Sequence, residues 1–304
     1  MKSRMLVACA VTFALAACAG LAPQGSGSTT IPANPSAHGA KSQSLLYLTD
    51  VKGNTVAVYS YPNGALVTTL TGFGKPRSEC ADSAGDVWIA DVEAQQVEKF
   101  TPGAKKPVVA LSTQGTPSGC SVSPIDGDVA VAGGPRGIVL SVFHRTPRNR
   151  WRDAKVFTDK TMATGYFCGY DAQGNLFVDG RSSSGDFHLA ELPHLGKALV
   201  DIAVSQTIKL PGQVQWDGTH LAVGDTGVTP SLVYQFSIVK SKASKTGTTT
   251  LSGSTSVRQF WIAGDKIIGP DNGADVKIWA YPAGGSPTKT ISVAGYGAAV
   301  SAAQ

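Results

Sequence analysis

Counted back from small glycine turns, five residues fall at one matching position: Glu79, Cys120, Cys168, Gln213 and Gln259. Four aromatic residues lie close by, Tyr166, Phe167, Trp216 and Trp261. If the chain brings these positions together, they make a small-ligand pocket. Rings supply apolar area, and two amides with one carboxylate fix orientation. The competing reading puts the rings in the core and the glutamine amides on neighbouring backbone. The residues alone leave both open.

Asp50, Asp91, Asp179, Asp225 and Asp271 each end a short apolar run. Five carboxylates in a ring have the chemistry to hold a divalent cation or read sugar hydroxyls. Aspartate also accepts hydrogen bonds from turn amides through its own side chain. Recurrence in unit after unit favours the turn role. His144, His188, His194 and His220 are scattered without metal-ligand spacing, and no nucleophile elbow, zinc-protease helix or phosphate loop occurs. The sequence therefore assigns no catalytic residue, no metal and no cofactor.

The elements that must position these residues are strands. Runs such as "TVAVYSY", "QVEKF", "LVYQFSI" and "DVKIWAY" alternate apolar and polar residues between Gly, Pro and Asn. A unit of turn, apolar strand and frequent Asp recurs as "LYLTD", "GDVWIAD", "GDVAVAGG", "GNLFVDG", "THLAVGD" and "DKIIGPD". The first strand residues are Leu46, Val87, Val129, Leu176, Leu221 and Ile267, spaced by 41, 42, 47, 45 and 46 residues. Four short antiparallel strands per repeat of this length predict an all-β, six-bladed β-propeller over residues 45–304. The first unit lacks an opening strand, and the tail "AGYGAAVSAAQ" resembles one without a blade. The tail is therefore expected to join blade 1 and close the ring, which also removes an exposed edge.

Aligned in this way, "PRSECADSAGDVWIADVEAQQVEKF" and "GYFCGYDAQGNLFVDG" resemble NHL repeats. The resemblance implies the architecture. It names no single activity, because NHL-type folds include protein-binding, RNA-binding and lactone-hydrolysing members. Lactonases of related shape hold a metal at the channel with Glu, Asn and Asp. Glu79 matches the first of these by position, but Cys and Gln stand at the others.

Cys80, Cys120 and Cys168 sit on the opening strands of units 2, 3 and 4. Successive strand residues point to opposite faces. Cys80 is one step off the matching position, so its parity opposes that of Cys120 and the two can meet across a blade interface. The expectation is a Cys80–Cys120 disulfide with Cys168 buried and free; the alternative is a three-thiolate metal site.

The N-terminus "MKSRMLVACAVTFALAAC" has a positive start, an apolar run and small residues before Cys18, the pattern of an export signal. "LAAC" resembles a bacterial lipobox, which implies a signal peptide over 1–17 and lipid on Cys18. Residues 18–44 are rich in Gly, Ser, Pro and Ala and read as a tether of roughly 30 Å reach. Ala19 after Cys18 favours the outer membrane. The formal charge of +5 falls to +3 without Lys2 and Arg4, which points to no particular partner. Two loops are basic: "HRTPRNRWRDAK", carrying Arg145, Arg148, Arg150 and Arg152, and "KSKASK" at 240–245. They suit anionic lipid or simple solvation, and export makes nucleic acid an implausible partner. The whole reads as a monomeric, lipid-anchored propeller of the cell envelope that binds a small molecule or envelope protein through its channel face. The alternatives are a channel-site hydrolase of the lactonase type and a purely structural envelope component.

Overall fold

A computed structural model describes residues 43–134, 137–148 and 150–302. The signal peptide, Cys18 and the tether up to residue 42 lie outside the described residues. Those described form strands and turns without a helix. They make six antiparallel sheets, five of four strands and one of five, in consecutive blades.

Blade 1 shows why the ring closes. Its inner strand is Gly297–Ser301, from the far end of the chain, paired antiparallel with Leu45–Asp50 from the beginning. The register runs from Leu45 opposite Ser301 to Thr49 opposite Gly297. All five tail residues are buried. Their small side chains (Gly297, Ala298, Ala299, Ser301) fit the crowded axis, where larger ones would meet the opposite blades.

The other inner strands are Pro76–Ala81, Gly119–Val122, Thr164–Tyr170, Pro211–Trp216 and Trp261–Ala263. Each leads through a tight turn into a second strand buried along nearly its full length, such as Val87–Asp91 or Leu221–Asp225. Outer strands such as Leu66–Leu70 are largely exposed. Blade 5 carries a fifth, parallel strand, Ala203–Val204, against its long outer strand Lys242–Thr250.

The apolar core is divided into six clusters among the described residues, one between each pair of neighbouring blades. Tyr47, Val58 and Leu70 of blade 1 meet Val87, Ile89 and Phe100 of blade 2. Leu46, Leu48 and Ala298 of blade 1 meet Ile268 and Ile278 of blade 6. A blade has no core of its own, so its stability comes from its two neighbours.

The disulfide fits this scheme. Cys80 and Cys120 are bonded across blades 2 and 3 with Cα atoms 5.6 Å apart. Cys80 pairs with Trp88 and Cys120 with Val131, one step apart along the second strands, so the two side chains point toward each other. The Cys120 sulfur faces the Trp88 carbonyl of the preceding blade, and the Cys168 thiol faces the Ala130 carbonyl of its own preceding blade. Cys168 is free and buried. With two of three sulfurs bonded to each other, a three-thiolate site does not form.

The seam at Gly297 generates a stability prediction. A Cβ there would collide with Thr49 Oγ1, Glu79 Oε2 and Gln259 Oε1. Overpacking a tight core typically costs about 1–3 kcal/mol. Gly297→Ala is expected to lower the urea midpoint by that equivalent with the slope unchanged; an unaltered midpoint would mean that the seam has slack.

Candidate binding site at the ring axis

The axis ends in two different mouths, and the predicted pocket residues are divided between them. Loops joining second to third strands, and one blade to the next, surround one mouth. Its lining holds Tyr166, Phe167 and Gln259 together with Arg77, Ser118 and Tyr296. Leu210 and Pro211 of blade 5 complete it, so every blade contributes to this tight cavity of about 20 Å³. The opposite mouth is wider, about 300 Å³, and holds Gln213, Trp216 and Trp261 beside Cys80, Cys120 and Tyr170. The sequence reading placed all of these at one mouth; the inner strand is long enough to separate its first and last residues to opposite ends.

A second difference is a slip of register. Val214, not Gln213, pairs with Val223 at the position matching Cys120 opposite Val131. The inner strands of blades 2, 4 and 5 are bulged near their beginnings. A bulge inserts one residue and reverses pleat parity. The bulges leave Glu79 and Cys168 in place; Gln213 is one step off because only four residues separate Trp216 from Leu221, against five in blades 2 and 4.

Glu79 lies between the mouths and is fully buried. Its Oε1 accepts the Thr49 amide at 3.2 Å, and Oε2 has no partner. The Gln259 amide nitrogen donates to the Glu79 carbonyl at 2.6 Å, which leaves Gln259 Oε1 also without a partner. These two acceptors border the same space at Gly297. Burial raises the Glu79 carboxyl well above the ordinary range, against the smaller lowering effect of its Thr49 hydrogen bonds.

The aspartates are four turn caps and one exception. Asp91 accepts from the amides of Gly74, Lys75, Glu93 and Ala94. Asp225 does the same for Lys209, Leu210 and Gly227, and Asp50 for Lys52 and Gly53. Asp271 caps Thr255 and Ser256 and pairs with Lys277 at 2.6 Å. Burial pushes its carboxyl up, but these donors outweigh it and the pKa is lowered. Asp179 comes one residue earlier in its strand than the others and so takes the opposite parity. It is fully buried, accepts the Phe167 amide through Oδ1 and leaves Oδ2 without a partner. Burial raises its pKa well above the usual value.

The two mouths differ in which polar groups are left without partners. At the wide mouth the Ser121 hydroxyl accepts the Tyr170 amide, and Gln215 bonds both the amide and the carbonyl of Ile262. Asp82 and Asp171 cap their own turns. Gln213 Oε1, Trp216 Nε1, Ser83 Oγ, Tyr170 Oη and Trp261 Nε1 make no hydrogen bond among the described residues. At the narrow mouth the side chains of Arg77, Ser118, Tyr166, Arg258 and Tyr296 make no hydrogen bond or ion pair among the described residues. Arg77, Ser118, Arg258 and Tyr296 were not singled out from sequence. The usable signal is position: Arg77, Ser118 and Tyr166 each stand two residues before Glu79, Cys120 and Cys168.

The basic loops are on the wide-mouth side. Arg145, Arg148, Arg150 and Arg152 are exposed and make no ion pair among the described residues. Trp151 does not join them at the surface, because it packs edge-on against Trp88 of blade 2, with centroids 5.2 Å apart. "KSKASK" is not an extended loop: Lys240 and Ser241 make a tight hairpin, and the remainder lies in the strand Lys242–Thr250. His144 bonds Asp128 at 2.5 Å beneath the first loop.

No family model matches the chain, and no curated protein matches it. Solved structures do. A chain of a nidogen/laminin complex is 12% identical, covers 86% of this chain and 99% of its own, and superposes with a TM-score of 0.69. The chain is a six-bladed β-propeller. A protein of unknown function from Bacteroides caccae gives 12% identity, the same coverages and a TM-score of 0.62. A chain of the Kuenenia stuttgartiensis hydrazine synthase gives 13% identity over 78% of this propeller and 73% of that chain, at 0.57. Likeness at such identities concerns the fold alone.

Glu79 generates a pH prediction. Its folded pKa is raised, so the native state holds more protons than the unfolded state between the ordinary carboxylate range and the raised value. Stability then falls as pH rises through that window. Glu79→Gln is expected to flatten this decline and to melt higher than the native chain at neutral pH. Asp179 leaves a residual slope of the same sign. Parallel melting curves across pH for the two proteins would contradict the assignment.

Proposed function

We propose that this chain is a lipid-anchored binding module of the bacterial envelope, held outside the cytoplasm through Cys18. Its ligand enters the narrow axial mouth. The carrying observation is that two arginines without ion pairs among the described residues, Arg77 and Arg258, converge there with three free hydroxyls, whereas no cation lines the wide mouth. A buried group without a partner is costly, whereas an accessible one is available for recognition. The channel-site hydrolase is less favoured, because Glu79, its one candidate ligand to a metal, is fully buried.

Orientation follows from where the chain enters. Ser44 accepts the Tyr61 amide at the turn between the third and outer strands of blade 1, so the fold is entered on the Arg145 side. In this reading that side turns toward anionic lipid and the narrow mouth turns outward. Exposed cations near a negatively charged membrane gain about 1 kcal/mol each.

Metabolic labelling with radioactive palmitate is expected to mark the native chain and not Cys18→Ser; labelling of both would remove the anchor. For the mouth, fragments binding the full chain in detergent should be found by saturation-transfer NMR. Ser118→Trp is expected to abolish their signals and Ala172→Trp, at the wide mouth, to spare them. The reverse pattern would move the site to the other end of the axis.

A further inference from the structure

The narrow mouth has a one-sided chemistry. Arg77 and Arg258 contribute two permanent positive charges from blades 2 and 6. The unengaged hydroxyls of Ser118, Tyr166 and Tyr296 add three donors. No carboxylate lines the cavity. The aspartates of this face are closed onto their own turn amides, and Asp271 also onto Lys277.

The floor does not cancel the charge. Glu79 lies buried outside the lining, and burial raises its carboxyl well above the ordinary range. Gln259 Oε1, an acceptor without a partner, points to the Glu79 Oε2 space at Gly297. The remaining wall, Phe167, Leu210 and Pro211, is apolar. Two arginines in a cleft with low-dielectric walls focus the field on whatever enters. Their planar forks match carboxylate and phosphate oxygens.

We propose that the narrow mouth binds a small organic anion, its carboxylate or phosphate group between Arg77 and Arg258 and its apolar or aromatic body at the opening. The inference rests on the reading that this mouth is the binding site and adds the class of ligand. The enclosed room is only about 20 Å³, so the anionic group alone enters and the body rests across the opening.

The test uses the full chain in detergent and three probes: benzoate, its neutral counterpart benzamide, and inorganic phosphate. Calorimetric titration is expected to show benzoate binding that weakens as salt rises, weaker phosphate binding, and no benzamide binding. A hydrogen bond to a charged group typically contributes about 1.5–3 kcal/mol, so Arg77→Gln and Arg258→Gln should each weaken benzoate by roughly ten-fold or more. Thermal melts of both variants must match the native chain; Arg258 is exposed, so at least that substitution leaves the fold intact. If benzamide binds as well as benzoate and Ser118→Trp abolishes both, the mouth is a site and the anionic class is wrong. Benzoate binding that survives both arginine substitutions also overturns the proposal. If neither anion binds, the proposal fails, and the binding reading then stands or falls on the fragment screen alone.

Discussion

Everything in this fold depends on one pairing between the two ends of the chain. The six apolar clusters lie between blades, not within them, so each blade is stable only when both neighbours are present. A linear stack would leave two raw faces. The antiparallel pairing of Leu45–Thr49 with Gly297–Ser301 turns the stack into a ring without ends. Ring closure is non-local contact at its most extreme, with more than two hundred residues between partners. Its entropic cost grows only slowly with loop length.

That same seam organises the axis. Closing the ring brings Thr49, Glu79, Gln259 and Gly297 from blades 1, 2 and 6 into one buried polar cluster. The cluster stands across the axis, and the propeller has two mouths of different chemistry. One contains the disulfide and has no cation in its lining. The other collects unengaged donors from loops that have no role in holding the blades together. Such a separation leaves the second mouth free to vary without loss of fold.

Most of the architecture was legible in the sequence because it is repeated. Six runs of alternating residues at nearly even spacing specify six blades, and a spare strand at the end specifies closure. The cysteine pairing was legible for a related reason: parity along a strand decides which blade interface a side chain faces, and Cys80 and Cys120 differ by one step. The site was less legible because turn length and the place of the last strand residue differ from blade to blade. Gln213 moved off its expected position, and Asp179, one residue early in its strand, was grouped with turn caps it does not resemble. Arg77, Arg258 and Tyr296 escaped notice because they stand before or at the start of the inner strands, where no periodic pattern marks them. Whether a polar side chain is engaged is decided by its three-dimensional neighbours, and no spacing rule reports it.

The outer strand of blade 5 has one more consequence. Residues Lys242–Thr250 form the longest strand of the ring and stand at a sheet margin, where unpaired amides invite strand addition from another molecule. Here the margin is occupied at both ends. Ala203–Val204 lies parallel to Lys242 and Ala243, and Leu251, just past the other end, bridges to Gly285 of blade 6. Ser205 also accepts the Lys245 amide, so the cover reaches Lys245 from one end and Gly285 meets Leu251 at the other, which blunts this edge against strand addition.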